Sequence, residues 1–322
     1  MSRRRGRGPG GERGFALIAV LMVLAFVGVI GAEFAYSMRL EATAARVYKE
    51  TLIATHLAEA GVEQAIRELA GEFQYVGLGN DKDRDADADC PLVFYSRERL
   101  PIKRLPYRDV PLGGGHFSYC ISDEEARLNL NTSPPDRVGR LLQAMGLEKA
   151  ERDVVLDSLQ DWRDPNEEHR ANGAESDDTY LKRAVPYRSK NANLDALAEL
   201  IQVNGITAKL LDGEEGRPGL AALATVKGPG QVNINTVGKE VARALGLSDA
   251  EFTEIEQFRR VAPYTSVGRF SGRGLVVSSR TFRIEARGLI DGQVRATLTA
   301  IVQKRSDAVG EGVAVLEWSA VR

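Results

Sequence analysis

Arg13-Gly14-Phe15-Ala16-Leu17-Ile18 begins the segment on which the remainder of the chain is built. A basic, glycine-rich leader, residues 1–14, runs into it, and residues 15–32 then carry neither charge nor proline before Glu33. Eighteen apolar residues sit at the lower edge of what a helix needs to cross roughly 30 Å of hydrocarbon. The run is apolar all round, whereas a surface helix of a soluble domain keeps a polar stripe. A secretory signal peptide also starts with a basic region, here Arg3, Arg4, Arg5, Arg7 and Arg13. Its apolar region is shorter, however, and ends at a small-residue cleavage site, which this chain lacks. Instead, Glu41 to about Glu72 is rich in Ala, Leu, Glu and Arg, all good helix formers. Val47, Ala54, Ala58, Val62, Ala65 and Leu69 recur at helical spacing. One continuous helix from Phe15 to about Leu69 is predicted, roughly 80 Å long at the standard rise. The leader arginines favour a cytoplasmic N-terminus with the bulk of the chain across the membrane.

Glycine followed by phenylalanine and an apolar helix resembles the type IV pilin signal. The resemblance implies cleavage by a prepilin peptidase after Gly14 and methylation of Phe15. Most members of that family carry Glu at the fifth mature position, which here is Ala19. The departure resembles one subfamily, the K-type minor pseudopilins of type II secretion systems. A charge in lipid needs a partner, and the pilin glutamate is thought to meet the amine of a neighbouring subunit. A subunit without it suits the first place, at a filament tip.

Composition is that of a globular protein: 43% hydrophobic, 27% charged, net charge -2. Losing the leader, with five Arg and one Glu, would leave a mildly acidic chain. Such a chain has no electrostatic footprint for nucleic acid. Cys90 and Cys120 would both lie in an oxidising compartment, where disulfides form. Sequence gives no distance between them, so a disulfide and two buried free thiols both stay open.

After the stem, residues 71–90 read as a loop. Alternate aspartates from Asp81 to Asp89 resemble the start of a calcium loop, but the glycine and glutamate that such a loop requires are missing. Strands are predicted at Leu92–Tyr95 and His116–Ser122, the latter after Gly113-Gly114-Gly115. From Glu124 the pattern turns helical. Arg127-Leu128-Asn129-Leu130-Asn131-Thr132 precedes a helix predicted over 136–145, and Gln231-Val232-Asn233-Ile234-Asn235-Thr236 precedes one over 239–245. Each copy offers a Thr as a cap and a glycine, Gly146 or Gly246, as a stop. The echo reads either as two similar helix-start signals or, more sharply, as an internal duplication of a helix-turn-helix unit, and Asn-x-Asn-Thr occurring twice also resembles the K-type pattern. Further helices are predicted over 150–162, 180–184 and 194–203. Beyond Gly268 strands return over 280–286, 293–304 and 313–318, the first two joined by a tight Asp291-Gly292 turn.

These elements predict an α+β fold: a long N-terminal helix packed on an antiparallel pilin-like sheet, with a large inserted α-helical domain. The expected divisions are a leader (1–14), a transmembrane stem helix (15–72), the first part of the pilin-like domain (73–123), an inserted helical domain with two helix-hairpin-helix-like units (124–275), and C-terminal strands completing the sheet (276–322).

The segment from Asp161-Trp162-Arg163-Asp164-Pro165-Asn166 to Gly173-Ala174-Glu175-Ser176-Asp177-Asp178 gathers hard oxygen donors in a loop, chemistry suited to Ca²⁺. The K-type resemblance also implies calcium here. The candidate ligands are Asp164, Asn166, Glu175, Asp177 and Asp178, with Asp161 and Asn193 outside the main set. Catalysis is not expected: His56, His116 and His169 are scattered, and neither a nucleophile elbow nor a phosphate-binding loop occurs. The K-type resemblance implies a minor pseudopilin at the tip of a periplasmic pseudopilus. Its partners would be I- and J-type minor pseudopilins, the major pseudopilin and the prepilin peptidase. It would be a single-pass protein of the bacterial inner membrane. The alternative is a membrane-anchored helix-hairpin-helix protein that binds DNA through residues 235–260. It is disfavoured by the missing second glycine at Gly246-Leu247-Ser248 and by Asp249, Glu251, Glu254 and Glu256.

Overall fold

The computed structural model describes residues 12–79, 89–214, 216–307 and 310–321. Two compact units divide at Ile53/Ala54. The first is helix from Glu12 onward, the start of α1 (Glu12–Leu69). Side chains from Phe15 to Lys49 are exposed, and α1 is long and apolar enough to cross a membrane. Val47, assigned to the packing stripe, is about half exposed.

In the second unit the stripe is buried from Ala54 onward: Ala54, Ala58, Val62, Ala65 and Leu69 are each 0% exposed. They pack on a five-stranded antiparallel sheet of β3 (Val110–Leu112), β4 (Gly115–Asp123), β5 (Thr281–Ile290), β6 (Gln293–Asp307) and β7 (Gly310–Val321). The order is β7-β6-β5-β4-β3. The C-terminal strands thus complete a sheet begun before residue 123, as the sequence predicts. Burial alternates along β4, so Phe117, Tyr119 and Ile121 face the core opposite Gly288, Ala286 and Ile284 of β5. The Asp291-Gly292 turn has positive φ at both residues, the conformation that matches strand twist in a two-residue hairpin.

One early strand does not join this sheet. β2 (Leu92–Tyr95) pairs instead with β1 (Tyr75–Leu78), inside a region expected to be loop because of Gly71, Gly77 and Gly79. The link to the main core is aromatic. Phe94 lies 4.8 Å from Phe73 and 6.5 Å from Phe282, centroid to centroid. The alternate aspartates at 81–87 lie outside the described residues.

Between β4 and β5 the chain builds a separate apolar core from residues between Leu128 and Leu275. Its main helices are α2 (Pro135–Ala144), α3 (Lys149–Arg163), α4 (Lys239–Ala244) and α5 (Asp249–Arg259). The segments expected as helices over 180–184 and 194–203 are short 3-10 turns, Tyr180–Lys182 and Leu197–Gln202. Gly146 and Gly246 end α2 and α4 in the left-handed conformation, with φ 91° and 81°. Each is followed by the same closing bond, Leu147 N to Leu142 O and Leu247 N to Ala242 O. The threonines do not cap: Pro134 and Gly238 hold the N-cap positions, without side-chain caps.

Close approach of α1 to the sheet needs small residues. A Cβ on Gly61 would press Ala286 and Phe117, and one on Gly288 would fall on the carbonyl of Ala54. Gly288→Ala should therefore overpack the seam at a cost of about 1–3 kcal/mol. A thermal melt of the full chain would show a midpoint lowered by several degrees; an unchanged midpoint would mean that the seam yields freely.

Candidate functional site

Three consecutive acids occur where β4 leaves the sheet, and all are buried: Asp123, Glu124 and Glu125 are 4%, 0% and 4% exposed. Buried carboxylates need partners, and these have many. Asp123 Oδ2 accepts from Asn233 Nδ2 at 3.0 Å, Thr236 Oγ1 at 2.5 Å and Ser279 Oγ at 2.7 Å. Glu124 takes the Arg283 fork through both oxygens at 2.9 Å, with Arg127 at 2.8 Å and Thr225 at 2.6 Å. Glu125 Oε1 accepts from the backbone N–H groups of Arg280 and Thr281. One tripeptide therefore joins the sheet to both Asn-x-Asn segments. Its sequence signal was a run of acids at the end of a strand pattern, a composition that ordinarily marks a solvated turn.

The duplicated motif is duplicated in bonding. Asn131 N donates to Asn129 Oδ1 and Asn235 N to Asn233 Oδ1, both at 2.9 Å. Asn131 then clasps Leu194 and Val226, while Asn235 clasps Tyr264 and Val277. In each case the amide nitrogen donates to two carbonyls and the amide oxygen accepts from one backbone N–H. Each copy also starts from a two-residue parallel ladder, 128–129 with 224–225 and 232–233 with 275–276. The two hairpins meet through α2 and α4, where Arg140 Nε donates to Ala244 O at 2.9 Å.

The acid loop is organised by Asp161, 0% exposed, rather than by the candidates that follow it. Its Oδ2 accepts from Ala174 N and Arg170 N, and its Oδ1 from Arg170 Nη1 at 2.5 Å. Asp164 Oδ2 binds the same Arg170 nitrogen at 2.6 Å, and Asp164 Oδ1 accepts from Asn166 Nδ2. Glu175 Oε2 accepts from Ser189 Oγ at 2.6 Å, whereas Glu175 Oε1 is buried without a partner. Asp178 Oδ1 accepts from Glu175 N, and Asp177 and Asn193 are exposed. The candidates thus form two pairs, Asp164 with Asn166 and Glu175 with Asp178. Among the described residues no three acidic, His or Cys side chains converge on one metal position. Burial pushes the Glu175 carboxyl up, and the nearby Glu167, Asp161 and Asp164 add to this against the Ser189 hydroxyl. An orphaned carboxylate oxygen among further carboxylates is the donor chemistry of a hard cation, and Arg170 is the cation the loop itself supplies.

Cys90 and Cys120 form a disulfide, with Cα atoms 5.5 Å apart. At the hairpin between α4 and α5, Arg243 and Lys239 pair with Asp249, and Arg273 pairs with Glu251. Cations that phosphate would need are already neutralised there, so the structure does not favour the DNA-binding alternative.

Residues 122–223, which include Glu124, the first Asn-x-Asn hairpin and the acid loop, match the model of the first domain of type II secretion system protein K. Over that segment the chain is similar to the protein K family of type II secretion systems. The protein K of Pectobacterium carotovorum is 33% identical over 115 residues, 31% of this chain and 35% of that protein. The Pseudomonas aeruginosa protein is 26% identical over 199 residues, 59% of this chain and 56% of its own length. That of Klebsiella pneumoniae is 27% identical over 63% of this chain and 70% of its own. The chain thus spans between about a third and just over half of the first two of these relatives. In structure it resembles a chain of the GspK-GspI-GspJ complex from the type II secretion system of enterotoxigenic Escherichia coli. The TM-score is 0.61 and the identity 17%, over 88% of this chain and 99% of that one, a likeness of fold.

Titration of the buried tripeptide gives a pH test. Burial and neighbouring Asp123 push Glu125 up to about 7 from 4.5, against the hydrogen bonds from Arg280 and Thr281. Burial likewise raises Asp123. For Glu124 burial works upward too, but Arg127 and Arg283 hold it below its ordinary value. A raised carboxyl binds its proton more tightly in the folded chain. The stability this adds is full below pH 4.5 and is lost as pH rises through about 7. Glu125→Gln keeps the accepting oxygen and removes the charge. Denaturant titrations from pH 5 to 8 should show a flatter profile than the parent, by on the order of 2 kcal/mol; an identical slope would exclude Glu125 as the source.

Proposed function

We propose that this chain is a minor pseudopilin that initiates or caps the pseudopilus at its tip and works by assembly rather than catalysis. The observation that carries this is the pairing of an uncovered, membrane-grade helix lacking an acid at Ala19 with a bulky second core inserted between β4 and β5. A subunit without the internal acid has no group to meet the terminal amine of a subunit ahead of it. The helical block between β4 and β5 would bar addition above, while the stem receives subunits below. Processing would cut after Gly14 and methylate Phe15, leaving a single-pass protein of the inner membrane with its N-terminus on the cytoplasmic side and the sheet and helical block in the periplasm. The partners proposed are I- and J-type minor pseudopilins, with the major pseudopilin below. The likeness of fold to a chain of the GspK-GspI-GspJ complex supports the choice of partners.

Calcium is proposed for the acid loop. Glu175 and Asp178 would hold it together with Asp164 and Asn166, and Asp177 would lie beside them. The ion would supply the positive charge that the unpartnered Glu175 oxygen lacks. Binding to the folded form alone stabilises that form.

Two measurements test these assignments. Capture of the full chain from cells that also express I- and J-type subunits and a prepilin peptidase should recover both subunits. The intact mass of the captured chain should correspond to N-methylated Phe15. An uncut leader, or a chain recovered without both subunits, would refute the assignment. Separately, millimolar Ca²⁺ should raise the melting midpoint by several degrees relative to EGTA, and Glu175→Gln should abolish the difference. Equal midpoints would remove calcium from the account.

A further inference from the structure

The two sulfurs of the Cys90–Cys120 bridge occupy unlike environments. Cys90 is 6% exposed and sits against Arg104, whose Nη1 lies 3.2 Å from its Sγ. Arg104 is fixed from several sides. Its Nε and Nη2 bind the two oxygens of Glu68 near the end of α1, at 3.0 and 3.2 Å, and its guanidinium lies 4.3 Å from the ring of Tyr107. Tyr119 OH donates to the same carboxylate at 2.9 Å, with its own proton held more tightly by burial and by Glu68. Cys120 is half-buried, and with Cys90 it lines a cavity of about 550 Å³ on the outer side of β4. Arg108, Arg127, Arg287 and Glu285 line the same cavity.

Thiol–disulfide exchange depends on which sulfur is reached and which sulfur leaves. The better leaving group is the one whose thiolate is more stable, and a neighbouring guanidinium stabilises a thiolate. We propose that the bridge is a directional exchange site for a protein dithiol: the incoming thiolate attacks Cys120 Sγ from the cavity, and Cys90 leaves toward Arg104. The first step forms a bond between the incoming sulfur and Cys120 Sγ, breaks the Cys90–Cys120 bond, and places the electron pair on Cys90 as a thiolate. The dithiol's second thiol, on losing its proton, then attacks its own first sulfur. This releases Cys120 as a thiolate and leaves the dithiol oxidised, with two electrons passed to the bridge. Arg104 serves both partners at once through different nitrogens, so the Cys90 thiolate is held without loss of the Glu68 pair. Run backwards, the same path re-forms the bridge.

The probe is a thioredoxin-type dithiol protein whose second cysteine is replaced by serine, so that the mixed disulfide is trapped. It is mixed at neutral pH with the full chain in detergent, and the adduct is located by peptide mass spectrometry. The expected result is an adduct on Cys120 in at least roughly tenfold excess over Cys90. An adduct on Cys90, equal labelling, or labelling only after unfolding would overturn the proposal. A second arm measures the pH dependence of Cys90 alkylation in Cys120→Ser. Half-maximal rate should fall below the free-cysteine value of about 8.5. It should rise toward that value in Cys120→Ser/Arg104→Met and recover in part in Cys120→Ser/Arg104→Lys. Equal values across the three proteins would overturn the leaving-group assignment. Adduct mapping on the unsubstituted chain decides the matter if the Arg104 variants do not fold.

Discussion

Burying three carboxylates in succession costs far more than apolar packing can absorb unless every oxygen finds a donor. That requirement governs how this molecule is joined. Asp123, Glu124 and Glu125 draw their donors from Asn233, Thr236, Thr225, Arg283 and the start of β5, positions scattered across the chain. The sheet and the helical block can therefore meet in one register. Loss of a single donor would leave a buried charge short of a partner, which penalises alternatives steeply.

The same economy of polar groups runs through the helical block. Two asparagine amides, Asn131 and Asn235, each satisfy three backbone groups of distant segments. They take the place of a regular sheet; among the described residues of the block the ladders are two residues long. A segment rich in loops and 3-10 turns thus keeps its buried carbonyls paired. The arrangement is repeated in both halves of the block, down to the left-handed glycine that ends each first helix.

Legibility in the sequence followed the physics of each element. The stem was clear because period and composition agree over many residues, and its C-terminal end at Leu69 was set by the last buried position of the stripe. The late strands were clear because alternation and a two-residue turn reinforce each other. β1 was hidden because two flanking glycines and Gly77 look like loop, whereas Gly77 packs against the Tyr95 ring of the paired strand. The acid loop was visible as chemistry, but its geometry was not. Asp161 organises the loop because it ends a helix facing inward, and no composition argument separates it from the exposed Asp177. The tripeptide 123–125 was overlooked for the opposite reason, since its donors lie up to 159 positions away.

That separation has a bearing on how the molecule is made. β4 and β5 are neighbours in the sheet, yet the whole helical block lies between them in the chain. A polypeptide emerging N-terminus first would present β4 with β3 on one side and a vacant hydrogen-bonding edge on the other, until all the intervening residues had appeared. Loop closure on that scale is slow, and vacant edges invite association with other chains. The helical block closes the gap from within: its Asn233 and Thr236 bind Asp123 at the end of β4, and Ser279, just ahead of β5, binds the same carboxylate. In kinetic terms the inserted block is a clamp that shortens the effective loop and delivers β5 to an edge already waiting for it.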